Sequence, residues 1–188
     1  MLVEIIIPTY NRIAPLKCML SSLIAQTNDN WGANVIIDNP EDIEITNLVK
    51  SFNDPRIKYI KLETRNNDWG HTPREIGKQV SEADYIIMSG DDNYYTPTFV
   101  DELYKASINT PGVIYWNMVH SHYDYSYFEC FPAYNQIDMG AFATRKDIAH
   151  SIKLNTSYAA DGEYIESIKN EYPLETLFKI NKVLFVHN

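Results

Sequence analysis

Asp84-Tyr-Ile-Ile-Met-Ser-Gly-Asp-Asp-Asn93 is the stretch on which the fold turns. Its first half is an apolar run without alternation, the pattern of a strand covered on both faces. Its second half, Gly90-Asp91-Asp92-Asn93, sets two adjacent carboxylates where that strand stops. Ligands of open α/β sheets bind beyond the carboxyl ends of the strands. Neighbouring carboxylates there repel unless a cation or hydrogen-bond donors compensate, and oxygen ligands suit magnesium or manganese. The same composition also suits a plain solvated turn.

Upstream, Val3 to Ile7 is a second buried-type run, ended by Pro8. Leu16, Met19, Leu20, Leu23 and Ile24 fall at helical spacing within Ala14 to Gln26. Asn34 to Ile37 reads as a strand closing on Asp38-Asn39-Pro40, and Glu41 to Phe52 as a helix. Arg56 to Leu62 alternates as a strand does, and a helix follows from Thr72 or Pro73 to Glu82. Downstream, Pro97 opens a helix reaching about Ser107, and Val113 to Tyr115 forms the next strand. Strands alternating with helices predict a mostly parallel sheet flanked by helices on both faces. The ends Thr9-Tyr10-Asn11-Arg12, Asp38-Asn39 and Asp91-Asp92-Asn93 should then meet at one edge.

Beyond His120 the regularity weakens. Tyr123 to Tyr134 is aromatic without a clear period. Ala141 to Thr144 suggests a short strand, Lys146 to Ile152 a short helix, Ala160 to Asn170 a helix, and Val183 to His187 a final strand. No repeat or linker interrupts the 188 residues, which read as a single domain over 1–188.

Sixteen Lys and Arg against 25 Asp and Glu give a net charge of −9, which argues against a nucleic-acid groove. A phosphate-bearing ligand would meet repulsion here unless a cation or a local basic group intervened. Cys18 and Cys130 make neither a disulfide framework nor a ligand pair, and Cys18 reads as a small packed residue of the first helix. Without a signal-type leader or an apolar run near the roughly 20 residues of a membrane helix, the expected location is cytoplasmic. P-loop, G-x-G-x-x-G and G-x-S-x-G motifs and zinc-type spacings are absent from the sequence.

Taken in order, these segments resemble the family 2 glycosyltransferases of the GT-A fold. Ile6-Ile-Pro-Thr-Tyr-Asn-Arg12 is similar to the family's first strand and nucleotide loop, and Leu20-Ser-Ser-Leu-Ile-Ala-Gln-Thr27 to its first helix. Val35-Ile-Ile-Asp38 resembles the strand carrying a base-binding aspartate, and Asn67-Asp-Trp-Gly70 through Arg74 and Gly77 the stretch before the fourth strand. Ala83 to Tyr95 is most similar to the D-x-D region of the spore coat polysaccharide glycosyltransferase type.

The resemblance implies a Rossmann-like, nucleotide-sugar-binding half over about 1–115 and an acceptor half over about 116–188. It implies an inverting transferase of polysaccharide biosynthesis that moves a sugar from a UDP- or dTDP-type donor to a glycan or other hydroxyl, with Mn²⁺ or Mg²⁺. By that resemblance Asp38 accepts from a pyrimidine N3–H, and Tyr10 stacks on the base. Backbone around Pro8 and Thr9 holds the base, while Arg12 belongs to the same loop. Arg74 offsets donor charge or braces the Asp38 side. Asp92 is the direct metal ligand and Asp91 meets the ribose or the metal's shell. Asp161, in Tyr158-Ala-Ala-Asp161-Gly-Glu-Tyr-Ile-Glu166, matches the general base, with Glu163 as fallback; Asp161 also suits a helix N-cap. His187 is a further possible ligand.

The sequence departs from the family where Asp38-Asn39-Pro40-Glu41 keeps one carboxylate of two, and where Asp91-Asp92-Asn93 breaks the strict D-x-D spacing. Trp116, His120, His122, Tyr123, Tyr125, Tyr127 and Phe128 suit either a sugar-stacking wall or ordinary packing. The chain stops soon after the base-bearing segment, so a homo-oligomer or a partner protein is a further expectation. Two alternatives stay open: a nucleotide-sugar-binding module without transfer, and a sugar-1-phosphate nucleotidyltransferase.

Overall fold

The computed structural model describes residues 1–175 and 177–188. Its first half alternates as the sequence predicts. The elements are β1 (Val3–Thr9), α1 (Ile13–Ile24), β2 (Trp31–Ile37), α2 (Ile43–Ser51), β3 (Ile57–Lys61), α3 (His71–Val80) and β4 (Tyr85–Met88). There follow β5 (Tyr94–Tyr95), α4 (Phe99–Ala106), β6 (Val113–His120), β7 (Ser126–Phe128), β8 (Phe142–Arg145), α5 (Lys146–Ser151), α6 (Ala160–Glu171) and β9 (Leu177–His187). The strands form one sheet in the order β3-β2-β1-β4-β8-β6-β9-β5, with β7 added beside β6.

From β3 to β4 every pairing is parallel, which requires helical crossovers and cover on both faces. Val3, Ile5, Ile6 and Ile7 are all fully buried for that reason. Ile5 and Ile7 belong to the large core with Leu16 and Leu20 of α1 and Ile45 of α2. Ile6 packs oppositely, with Ile36, Ile86 and Ala149. On that second face α3 comes in close at Gly77, where a Cβ would lie 2.4 Å from Ile6 Cγ2.

Beyond β4 the sheet becomes mixed. β8 runs antiparallel to both β4 and β6, whereas β9 runs parallel to β6 with its register broken around Asn117. β6 extends to His120, five residues past the predicted strand, because β9 and β7 pair with its second half. Two strands escaped the sequence reading, since two or three residues carry no period. Cys18 corrects another expectation: it is exposed on α1, the buried stripe running through Leu16, Met19, Leu20 and Leu23. No helix among the described residues is long and apolar enough to cross a membrane.

Candidate active site

Parallel register brings three strand ends together. Thr9 pairs with Ile37, and Ile6 with Met88, so the chain leaves β1, β2 and β4 on the same edge. Asp38 N donates to Thr9 O and Ser89 N to Ile6 O, both at 2.9 Å, carrying the ladder one step beyond the strands. The ends open into a cleft of about 960 Å³. Pro8, Thr9, Tyr10, Arg12, Asp38, Arg74, Asp91, Asp92 and Asp161, all singled out in the sequence, line it, as does His187.

On one side stands Asp38, buried. Its Oδ1 accepts from Asn66 N and Nδ2, each at 2.9 Å, and its Oδ2 receives only a 3.4 Å contact from Asn67 N. The carboxylate is thus oriented while Oδ2 keeps accepting capacity. Beside it the Arg65 guanidinium lies 3.8 Å from the Tyr10 ring centroid and covers one face. Arg65 and Asn66 were not picked out in the sequence; a polar Arg-Asn-Asn turn between strand and helix is their only signal.

The acid pair occupies the next strand end. Thr9 Oγ1 donates to Asp91 Oδ2 at 2.7 Å, and Arg12 Nη1 lies 3.3 Å from Asp91 Oδ1 and 2.9 Å from Asp92 Oδ2. Burial pushes the Asp91 carboxyl up to about 6, against the Thr9 hydrogen bond and Arg12. Two carboxylate oxygens therefore converge on one cationic nitrogen, an arrangement that suits a hard divalent ion. Among the described residues no group of three or more His, Cys, Asp or Glu is arranged to hold a metal. An ion at Asp91 and Asp92 would take its remaining oxygens from a ligand or water.

Arg74 does not brace Asp38. Its Nε donates to Ser89 O at 3.0 Å and its Nη1 to Trp69 O at 2.9 Å, tying α3 to the strand that carries the acid pair. Burial lowers its pKa, and Asp138, Asp91, Asp92 and Asp161 raise it again. One guanidinium thus sits in the field of four cleft carboxylates.

Asp161 enters from the far half of the chain, in the first turn of α6. It is not the N-cap: Ala159 holds that position, without a side-chain bond. Asp161 accepts from Gly162 N at 2.7 Å, and its pKa is raised, first by burial and then by Asp138. Glu163 is engaged elsewhere, by Asn155 Nδ2 at 2.6 Å and Ser157 Oγ at 2.8 Å.

Residues 4–158 match the model of the family described as Glycosyl transferase family 2. The chain belongs to that family. Among curated relatives, an uncharacterized glycosyltransferase of Haemophilus influenzae is 25% identical over 112 residues, 60% of this chain and 36% of that protein. An uncharacterized glycosyltransferase of Bacillus subtilis, YwdF, is 29% identical over 106 residues, 56% of this chain and 38% of its own length. The chain thus spans well under half the length of these family members.

Solved structures of the GT-A fold superpose over nearly all of it. Staphylococcus aureus TarS 1–349 aligns with a TM-score of 0.81 at 15% identity, covering 100% of this chain and 60% of that one. The same TarS segment in complex with UDP-GlcNAc gives 0.78, again at 15% identity, over 99% of this chain and 58% of that one. The mannosyltransferase PcManGT of Pyrobaculum calidifontis, in complex with GDP-Man and Mn²⁺, gives 0.73 at 13% identity over 98% of this chain and 56% of that one. The GT-A fold expected of the sequence is therefore the fold of the chain.

The aromatic residues divide between the two readings. Trp116 is fully buried among Tyr95, Phe99 and the core. His120 and Phe128 line the cleft, while Tyr123, Tyr125 and Tyr127 are exposed. His187 Nδ1 stands 3.4 Å from Asp138 Oδ2 and its ring lies 5.3 Å from that of His120. Asp138, Trp69, His71 and Tyr158 line the cleft too and were not marked as site residues from sequence, each being a lone residue in a stretch without period.

Proposed function

We propose that the chain is an inverting, metal-assisted glycosyltransferase acting on a UDP- or dTDP-type sugar and an acceptor hydroxyl. The observation that carries this reading is the meeting, in one cleft, of Asp38, the Asp91–Asp92 pair and Asp161 from three distant parts of the chain. Asp38 Oδ2 is the acceptor for a pyrimidine N3–H, with Pro8, Thr9 and Tyr10 around the base. Asp92, supported by Asp91, is the site for Mn²⁺ or Mg²⁺, which when bound would neutralise charge on the departing diphosphate. The complexes of neighbours with UDP-GlcNAc and with GDP-Man and Mn²⁺ support a nucleotide-sugar and an ion here. The paired Asp91-Asp92-Asn93 supports kinship with the spore coat polysaccharide type.

Asp161 takes the proton of the acceptor hydroxyl as its oxygen forms a bond to the anomeric carbon. The bond from that carbon to the diphosphate breaks, and one displacement inverts the configuration. Burial favours the protonated form of Asp161, so it is a better base than an exposed aspartate. Arg74, in the field of Asp138, Asp91, Asp92 and Asp161, is the fixed cation that limits their repulsion.

Incubation with a panel of nucleotide-sugars and Mn²⁺ tests the reading. A uridine or thymidine diphospho-sugar should be slowly hydrolysed by the wild type and left intact by Asp161→Asn. Hydrolysis of none of the donors, or equal rates in both proteins, would count against it.

A further inference from the structure

Of the three tryptophans, Trp31 and Trp116 are buried, whereas Trp69 is 72% exposed. Its backbone is left-handed, at φ 56°, a conformation that is strained for a bulky residue. The turn enforces this. Asp68 Oδ2 accepts from Thr72 N at 2.9 Å and from Thr72 Oγ1, His71 N donates to Asp68 O at 3.2 Å, and Arg74 holds the Trp69 carbonyl. Gly70 follows at φ 82°, so close to Pro8 that a Cβ would lie 2.9 Å from Pro8 Cβ. A braced turn thus holds a large apolar ring out of the core and on the wall of the cleft.

The neighbours of the ring place it along the cleft. His71 meets Trp69 edge-on, with 6.3 Å between ring centroids, and lies near the backbone of Ser157. The neighbour of Ser157 is Tyr158, 91% exposed, lining the same cleft three residues before Asp161. Through His71, Trp69 therefore belongs to the Asp161 side, while Tyr10 already meets Arg65 on the Asp38 side.

We propose that Trp69 and Tyr158 are the stacking faces of an acceptor subsite for a pyranose ring, an inference that rests on the glycosyltransferase reading above. A pyranose presents a flat C–H face to an aromatic ring and a rim of hydroxyls to groups such as His71, Asp68 and Asp161. An acyclic polyol phosphate has no such face, and its charge is repelled by these carboxylates.

Trp69 is the one accessible fluorophore among the tryptophans, so acrylamide quenching of intrinsic fluorescence reads the subsite directly. The probes are methyl pyranosides of glucose, galactose, mannose, N-acetylglucosamine and rhamnose, with glycerol 3-phosphate and UMP as controls. At least one pyranoside should protect Trp69. Tyr158→Ala should weaken that pyranoside roughly three- to tenfold, the range of an aromatic stacking pair, and Tyr158→Phe should restore it. Trp69→Ala should abolish the quenchable emission. Protection by none of the pyranosides, equal protection by glycerol 3-phosphate or UMP, or unchanged affinity in Tyr158→Ala would overturn the proposal. Binding of a nucleotide-sugar with Mn²⁺ is measured in the same proteins. Donor binding without pyranoside protection sinks this subsite alone, and protection without donor binding sinks the glycosyltransferase reading instead.

Discussion

Arg12 Nη1 stands 2.9 Å from Asp92 Oδ2, and the same nitrogen reaches Asp91 Oδ1 at 3.3 Å. Arg12 thus pairs directly with both acids, while Arg74 acts on them from further off. Arg12→Met should leave the two carboxylates to repel each other. Arg12 is about half exposed, so screening limits the loss to about 1 kcal/mol or less, equivalent to a fall of roughly 2–4 °C in melting temperature. Mn²⁺ should then stabilise the variant more than the wild type. Thermal melts of both proteins with and without Mn²⁺ check this.

The pH dependence follows from Asp91. Its folded-state pKa, raised by burial to about 6, lies above the ordinary carboxylate value of 3.8. Between these values the folded chain binds a proton that the unfolded chain has released. The group's stabilising contribution is thus complete below about pH 4 and is lost as pH rises through 6. Denaturant melts should show this loss in the wild type relative to Asp91→Asn, by about 2–3 kcal/mol. Mn²⁺ should bind more tightly as pH rises through the same window, with proton release measurable by calorimetry.

Asp161→Asn removes the proposed proton acceptor and little else, since its hydrogen bond is local. Turnover should fall about a hundredfold to ten-thousandfold, with donor affinity unchanged. Because its pKa is raised, the wild-type rate should fall with decreasing pH sooner than an ordinary aspartate would dictate. Pre-steady-state transfer assays across pH resolve both effects.

Lys78 carries a stability prediction. Its side chain is fully buried, with Nζ 2.8 Å from Glu75 Oε2 and bonded to Ile152 O, while Glu75 also accepts from Leu154 N. This pair pins the segment that leads into α6. Lys78→Ala leaves Glu75 without its cation and should cost about 3 kcal/mol, roughly 6–12 °C in melting temperature. Differential scanning calorimetry is the check.

The parallel half of the sheet was legible because strands buried on both faces leave unbroken apolar runs such as Ile5 to Ile7 and Tyr85 to Met88. The strand ends were legible for a related reason: parallel register forces Thr9, Asp38 and Asp91 to one edge. The shortest strands were not. β7 and β5 exist through pairing with β6 and β9, contacts between distant residues that no local period announces. Trp116 and Trp69 make the same point. The first suited either a stacking wall or packing and is core, whereas the other lies in a polar turn and is held out by a left-handed backbone. Arg74 was marked as a donor-site residue, yet its carbonyl partners depend on a tertiary fit at Gly70 that the sequence does not display.

The proposed activity rests on a nucleotide-sugar site completed by a metal at Asp91 and Asp92. Isothermal titration of a UDP-sugar into the wild-type chain, with Mn²⁺ and then with a chelator, tests it most directly. Saturable binding that weakens at least tenfold on chelation, and likewise in Asp92→Asn, is the predicted result. Binding unaffected by the chelator, or none under either condition, would contradict it.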